Sequence, residues 1–124
     1  MKSVSPRLFL VVAGLTGALA VALGAVSAHL AESAMAERLA TAVRYLMWHA
    51  LALLAVAWLC NRPSRRWAVI AGMLFITGQV LFCGSLILSS LTALEGAAIV
   101  APAGGMAFIA GWLCLAVAGW RMRQ

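Results

Sequence analysis

Four apolar runs, at about residues 8–30, 43–60, 67–91 and 97–120, leave this chain few folds to choose from. A helix of about 20 residues, rising about 1.5 Å per residue, crosses the hydrocarbon core of a bilayer. The first, third and fourth runs reach that length comfortably. The second is shorter, and Arg44 at its start has to stretch toward the headgroups. Polar breaks separate the runs: "AESAMAERLATA", "NRPSRR" and "TALEG". The pattern predicts an all-α membrane protein, a four-transmembrane-helix bundle spanning 1–124 as one domain.

Composition agrees. Of 124 residues 65% are hydrophobic and 10% charged, too little polar surface to cover a water-soluble domain. The net charge of +6 invites a nucleic-acid reading, but the basic residues edge the apolar runs and are not interleaved with aromatics. No nucleic-acid partner is expected. With both termini inside, Lys2, Arg7, Arg62, Arg65, Arg66, Arg121 and Arg123 are cytoplasmic. Only Arg38 and Arg44 then lie outside, together with Glu32, Glu37 and Glu95, which is a positive-inside pattern. Trp58, Trp67 and Trp120 fall near the inner interface, and Tyr45 and Trp48 nearer the outer one. Cys60, Cys83 and Cys114 are isolated, without a C-x-x-C pair, and read as small buried hydrophobes.

The N-terminus imitates a secretion signal, with Lys2 and Arg7 ahead of the apolar run and "VSA" before His29. The run exceeds the usual signal core of about 7–15 residues, so a retained first helix is expected. In the segment 32–42, Leu39, Ala42 and Val43 share a face opposite Glu32, Glu37 and Arg38. It reads as a short amphipathic interfacial segment between helices 1 and 2, the competing reading being an ordinary connection.

Small residues run along the first span as Ala13, Gly17, Ala20, Gly24 and Ala28, widened by Gly14, Ala18, Ala22 and Ala25. The fourth span repeats the device with Gly104, Gly105, Ala107 and Gly111 after Pro102. Such stripes let helix backbones approach closely in lipid, and helix packing is the reading preferred over a slot for a flat or lipidic ligand.

Polar side chains within spans are expensive and so mark candidate sites. His29 ends the first span, and Tyr45 and His49 share a face of the second. Gln79 lies near the middle of the third and Ser85 toward its outer end, with Glu95 in the loop beyond. If helix 2 begins near residue 43, both histidines sit at similar depth. The competing role for these groups is fastening helices by hydrogen bonds. Two histidines fall short of a zinc ligand set, and as axial haem ligands they are weighed and set aside, so no cofactor or metal is expected. No carboxylate lies inside a span to drive proton-coupled export. Ser85 and His49 lack a third residue to orient the imidazole, and "APAGG" lacks the Lys and Ser/Thr of a phosphate loop, so no enzyme is expected.

The fragments "GALAVALGAVSAHL", "RYLMWHALALL", "LFCGSLILSSL" and "APAGGMAFIAGW" follow in this order and spacing. Together, over residues 8–120, they resemble the domain-of-unknown-function 423 family, small YgdD/YwdK-like membrane proteins with relatives called transmembrane protein 256. The resemblance implies a multi-pass protein of the bacterial cytoplasmic (inner) membrane and brings no settled activity. Its recurrent polar and small positions fall on His29, Tyr45, His49, Ser85, Pro102, Gly104, Gly105 and Trp112. The chain departs from it at Leu46, Cys83 and Ile87, where Gln, Ser and Tyr are expected. The leading expectation is a non-enzymatic module associating with membrane lipids, a membrane protein complex or further copies of itself. The alternative is a binder or carrier of a hydrophobic small molecule, a quinone or haem, through His29 and His49, and a transporter ranks below both.

Overall fold

The computed structural model describes residues 4–30, 33–92 and 94–123, with Glu95 and Arg123 described by their backbone alone. Four helices follow one another: α1 (Pro6–His29), α2 (Ala34–Leu59), α3 (Arg65–Leu91) and α4 (Ala101–Trp120), the last entered through a 3-10 turn, Glu95–Val100. All four spans are long and apolar enough to cross a membrane, α4 counting part of that turn. No strand occurs among the described residues.

Serine caps open the first two helices. Ser5 accepts from the Arg7 amide ahead of α1, and Pro6 occupies the first turn, where its missing N–H costs nothing. Ser33 accepts from the Ala36 amide at 3.2 Å, so α2 starts at Ala34 and not near residue 43. This corrects the expected interfacial segment. The amphipathic face is real, with Leu39 and Ala42 buried and Glu37 exposed, but these residues are the first turns of α2 itself. Glu32 lies outside the described residues.

Packing runs in sequence order, α1 on α2, α2 on α3, α3 on α4. Gly17 meets Ala50 and Gly24 meets Val43, which sets the antiparallel register of α1 and α2. Ala28 does not extend this seam; it is exposed, because each four-residue step overshoots a full turn by about 40° and two in a row carry it off the face. Gly14, Ala18, Ala22 and Ala25 also face outward. Elsewhere glycines receive phenylalanines. Phe9 of α1 rests on Gly72 of α3, Phe75 of α3 on Gly111 of α4, and Phe108 of α4 on Gly78 of α3. At Gly104 the backbone of Phe82 itself closes in. Gly105 has only Phe82 Cδ2, 3.9 Å from where a Cβ would stand, and opens onto free space instead of a packed seam.

One turn of α3, Gln79–Cys83, is a π-helix closed by the Gly84 amide bonding Gln79 O. The extra residue shifts the face that α3 presents, and such turns often mark functional sites. At the opposite end, Arg65 donates to Val4 O at 2.8 Å and to Cys60 O at 3.1 Å, tying the α2–α3 turn to the N-terminus. Arg121 lies over Trp67 there, so both ends of the described chain and the α2–α3 turn share one end of the bundle. The three cysteines are free thiols, Cys60 and Cys83 buried and Cys114 half-buried.

Candidate functional site

Side chains of three helices meet in an aromatic cluster midway through the bundle. Tyr45, Trp48 and His49 share one face of α2, Phe75 and Phe82 come from α3, and Phe108 and Trp112 from α4. His49 is the hub. Its ring stacks on Phe108 with centroids 3.6 Å apart and planes 12° apart, and Phe75 and Trp112 close its other sides at 5.3 and 5.8 Å.

The hydrogen bonds of His49 fix its tautomer. Nδ1 lies 2.6 Å from Tyr45 O, which can only accept, so Nδ1 carries the proton. Trp112 Nε1, which can only donate, lies 3.1 Å from Nε2, so Nε2 holds the lone pair. Both nitrogens are engaged, and the residue is 2% exposed. A histidine so held orders an aromatic cluster; to ligate a metal it would first have to surrender Trp112.

Beside the cluster, α2 and α4 part to leave a groove of about 660 Å³. Its walls are Tyr45, Trp48, His49 and Leu51 on one side and Pro102, Gly105, Met106, Phe108, Ile109 and Trp112 on the other, with Phe82 behind. Trp48 is 51% and Trp112 46% exposed, so the mouth opens sideways, where lipid chains lie. Along α4 the walls run from Pro102 to Trp112, about 15 Å at 1.5 Å per residue. That is about half the hydrocarbon thickness, on the side away from the ends of the described chain. Among the described residues no carboxylate, thiol or serine hydroxyl lines it. The lining offers dispersion and π-faces, the usual make-up of a site for an apolar ligand.

The residues singled out by sequence divide. Tyr45 and His49 form the groove, with Pro102, Gly105 and Trp112 from the family resemblance. His29 is exposed at the end of α1, level with Arg38 of α2 in the register above, about 16 Å along the axis from His49. The expected histidine pair does not form, because α2 starts earlier than residue 43 and carries His49 deeper. For the same reason Tyr45 and Trp48 lie about three to four turns into α2, where they line the groove.

Gln79 sits on another side of α2, donating to Leu46 O at 3.3 Å and to Thr16 Oγ1 at 3.4 Å, with its Oε1 buried and unpartnered. It fastens α1, α2 and α3. Ser85 is buried but bonds back to Phe82 O within its own helix, at 2.9 Å. Ser89 and Ser90 do likewise to Leu86 O. The side chain of Glu95 lies outside the described residues. Among the described residues no three His, Cys, Asp or Glu side chains converge as a metal site would require. Sequence reasoning passed over Phe75, Phe82 and Phe108; the three- and four-residue spacing of Tyr45, Trp48 and His49 and of Phe108 and Trp112 was the available signal.

A family model described as "Protein of unknown function (DUF423)" matches residues 23–105. The UPF0382 membrane protein YwdK of Bacillus subtilis is 38% identical over 117 residues, 90% of this chain and 95% of its own length. The UPF0382 inner membrane protein YgdD of Escherichia coli K12 is 34% identical over 122 residues, 95% of this chain and 93% of its own. A UPF0382 membrane protein of Staphylococcus haemolyticus is 32% identical over 121 residues, covering 93% and 97%. No solved structure matches.

Proposed function

The chain belongs to the DUF423 family, small multi-pass membrane proteins without an assigned activity, and from that footing we propose that it is a non-enzymatic membrane module whose working surface is the groove between α2 and α4. The groove seats one hydrophobic chain or ring drawn from the bilayer, a lipid tail or a molecule of similar build. The observation that carries this reading is the 660 Å³ aromatic cleft, open to lipid and floored by a histidine whose nitrogens are both engaged. His49 serves here as a wall and not as a ligand to a metal, which moves the weight away from haem. Positive-inside bias supports an orientation with both termini cytoplasmic and the groove in the outer half of the bilayer.

Gly105 supplies the test. A Cβ there meets only Phe82 Cδ2, at 3.9 Å, and Gly105 lines the groove, so Gly105→Leu is expected to fill the site without disturbing the seam. Native mass spectrometry from lipid nanodiscs is expected to find a retained lipidic adduct on the parent protein and to lose most of it in Gly105→Leu, with melting unchanged. A bare parent protein, or an adduct indifferent to Gly105→Leu, overturns the reading.

A further inference from the structure

The bundle end where the described chain begins and finishes is rich in arginine, while Glu37, in the first turn of α2, and Glu95, in the α3–α4 connection, belong to the other end. Two of its arginines are already engaged. Arg65 clamps Val4 O and Cys60 O, and Arg62 lies 4.4 Å over the Trp58 ring. Two others, Arg66 and Arg121, border a separate pocket of about 440 Å³ that Pro63, Ser64, Trp67 and Ile70 also line. Arg121 is steadied there over Trp67, 5.5 Å from the ring centroid.

Ser64 is the unexplained member. It stands immediately before α3, where serine ordinarily accepts from a first-turn amide, yet it makes no such bond. It is 4% exposed, and its Oγ is buried without a hydrogen-bond partner. A buried hydroxyl left unpaired is costly, and in a native protein it points to a partner. The same residue marks the N-terminus of α3, the positive end of the helix dipole. Two arginines, a serine whose buried hydroxyl lacks a partner, and a helix N-terminus therefore border one pocket, at the end of the bundle where the charge pattern puts the headgroups.

We propose that this pocket binds a phosphate group, presented either by an anionic phospholipid or as a free anion. Arg66 and Arg121 supply the charge in the planar geometry that suits phosphate oxygens, and the Ser64 hydroxyl turns to donate the bond it lacks. Basic pockets between helix ends recognise anionic headgroups elsewhere by this chemistry. The site is independent of the groove between α2 and α4, and the Gly105→Leu background removes the groove from the experiment.

In that background, delipidated protein is titrated with short-chain phosphatidylglycerol, matched phosphatidylcholine and sodium phosphate, read by native mass spectrometry and Trp fluorescence. Phosphatidylglycerol is expected to bind about tenfold or more tighter than phosphatidylcholine, and Arg66→Gln/Arg121→Gln to lose about tenfold, the scale of a charge-assisted contact. Ser64→Ala removes a hydroxyl that holds nothing in the fold, so it is expected to weaken binding several-fold without lowering the melting temperature. Arg62→Gln removes one charge at the same end and is expected to change little. Competition by sodium phosphate assigns the site to free anion, and its failure assigns it to the lipid headgroup; either result supports a phosphate site. Equal binding of the two lipids with no effect of sodium phosphate overturns it, as does a loss in Arg62→Gln as large as in the double variant. If the double Gln variant does not fold, Arg66→Lys/Arg121→Lys keeps the charge and decides. A several-fold loss supports planar recognition, and wild-type affinity together with no loss in Ser64→Ala overturns it.

Discussion

At the scale of the residue, His49 shows how a membrane protein spends a polar group. An imidazole in the middle of a span needs both nitrogens satisfied, and here one helix carbonyl and one indole do so. Nitrogen NMR of labelled protein is expected to report a protonated Nδ1 and an unprotonated Nε2. Removing the indole donor in Trp112→Phe leaves Nε2 without a partner. A double-mutant cycle of Trp112→Phe with His49→Phe is expected to give a coupling of about 0.5–1.5 kcal/mol, the worth of an interhelical hydrogen bond in lipid. A coupling near zero in detergent unfolding shows that the ring stacking, and not the hydrogen bond, holds the cluster. The importance of Tyr45 and His49 was legible in sequence, since polar groups in spans announce themselves. The partner was not: Trp112 is distant along the chain, and nothing in either helix alone aims the indole at the imidazole.

At the scale of the element, the seam between α3 and α4 is decided by adjacent glycines that do opposite things. A Cβ on Gly104 would stand 2.7 Å from Phe82 Cβ and closer still to the Phe82 backbone nitrogen, where nothing can yield without moving a helix. Gly104→Ala is therefore expected to destabilise by about 1–3 kcal/mol, the usual cost of overpacking, while Gly105→Ala is close to neutral. Denaturant titration of the two variants in one detergent checks the contrast, and equal effects contradict the packing described. Sequence grouped the two glycines in one packing stripe because both are small. Only the direction each faces on the helix separates a seam from a groove wall. The start of α2 was better advertised. Ser33, with Glu37 in the first turn, is a helix-start signal at residue 34, overshadowed by the strongly apolar run that begins only near residue 43.

At the scale of the whole molecule, the bundle is asymmetric. Phe9, Ala13 and Ala20 are the buried residues of α1, which leans chiefly on α2, whereas α3 is held by neighbours on both sides. Charge is asymmetric too, with arginines gathered at the end where the described chain begins and finishes. Alkaline phosphatase fused to the C-terminus is expected to be inactive, and fused within the α3–α4 connection to be active. The reverse pattern contradicts the orientation proposed.

The number of spans, their antiparallel order and the basic end follow from sequence, because hydropathy and charge are local properties that the bilayer reads directly. Register does not. The depth of His29 relative to His49 depends on where Gly17 and Gly24 meet Ala50 and Val43, a contact between helices. The groove is likewise a gap between α2 and α4 and exists in neither alone. A side chain's depth and direction are set jointly by the helices that pack around it, so the tertiary structure separated the two histidines, turned Gly105 into a wall and left Ser64 without a partner.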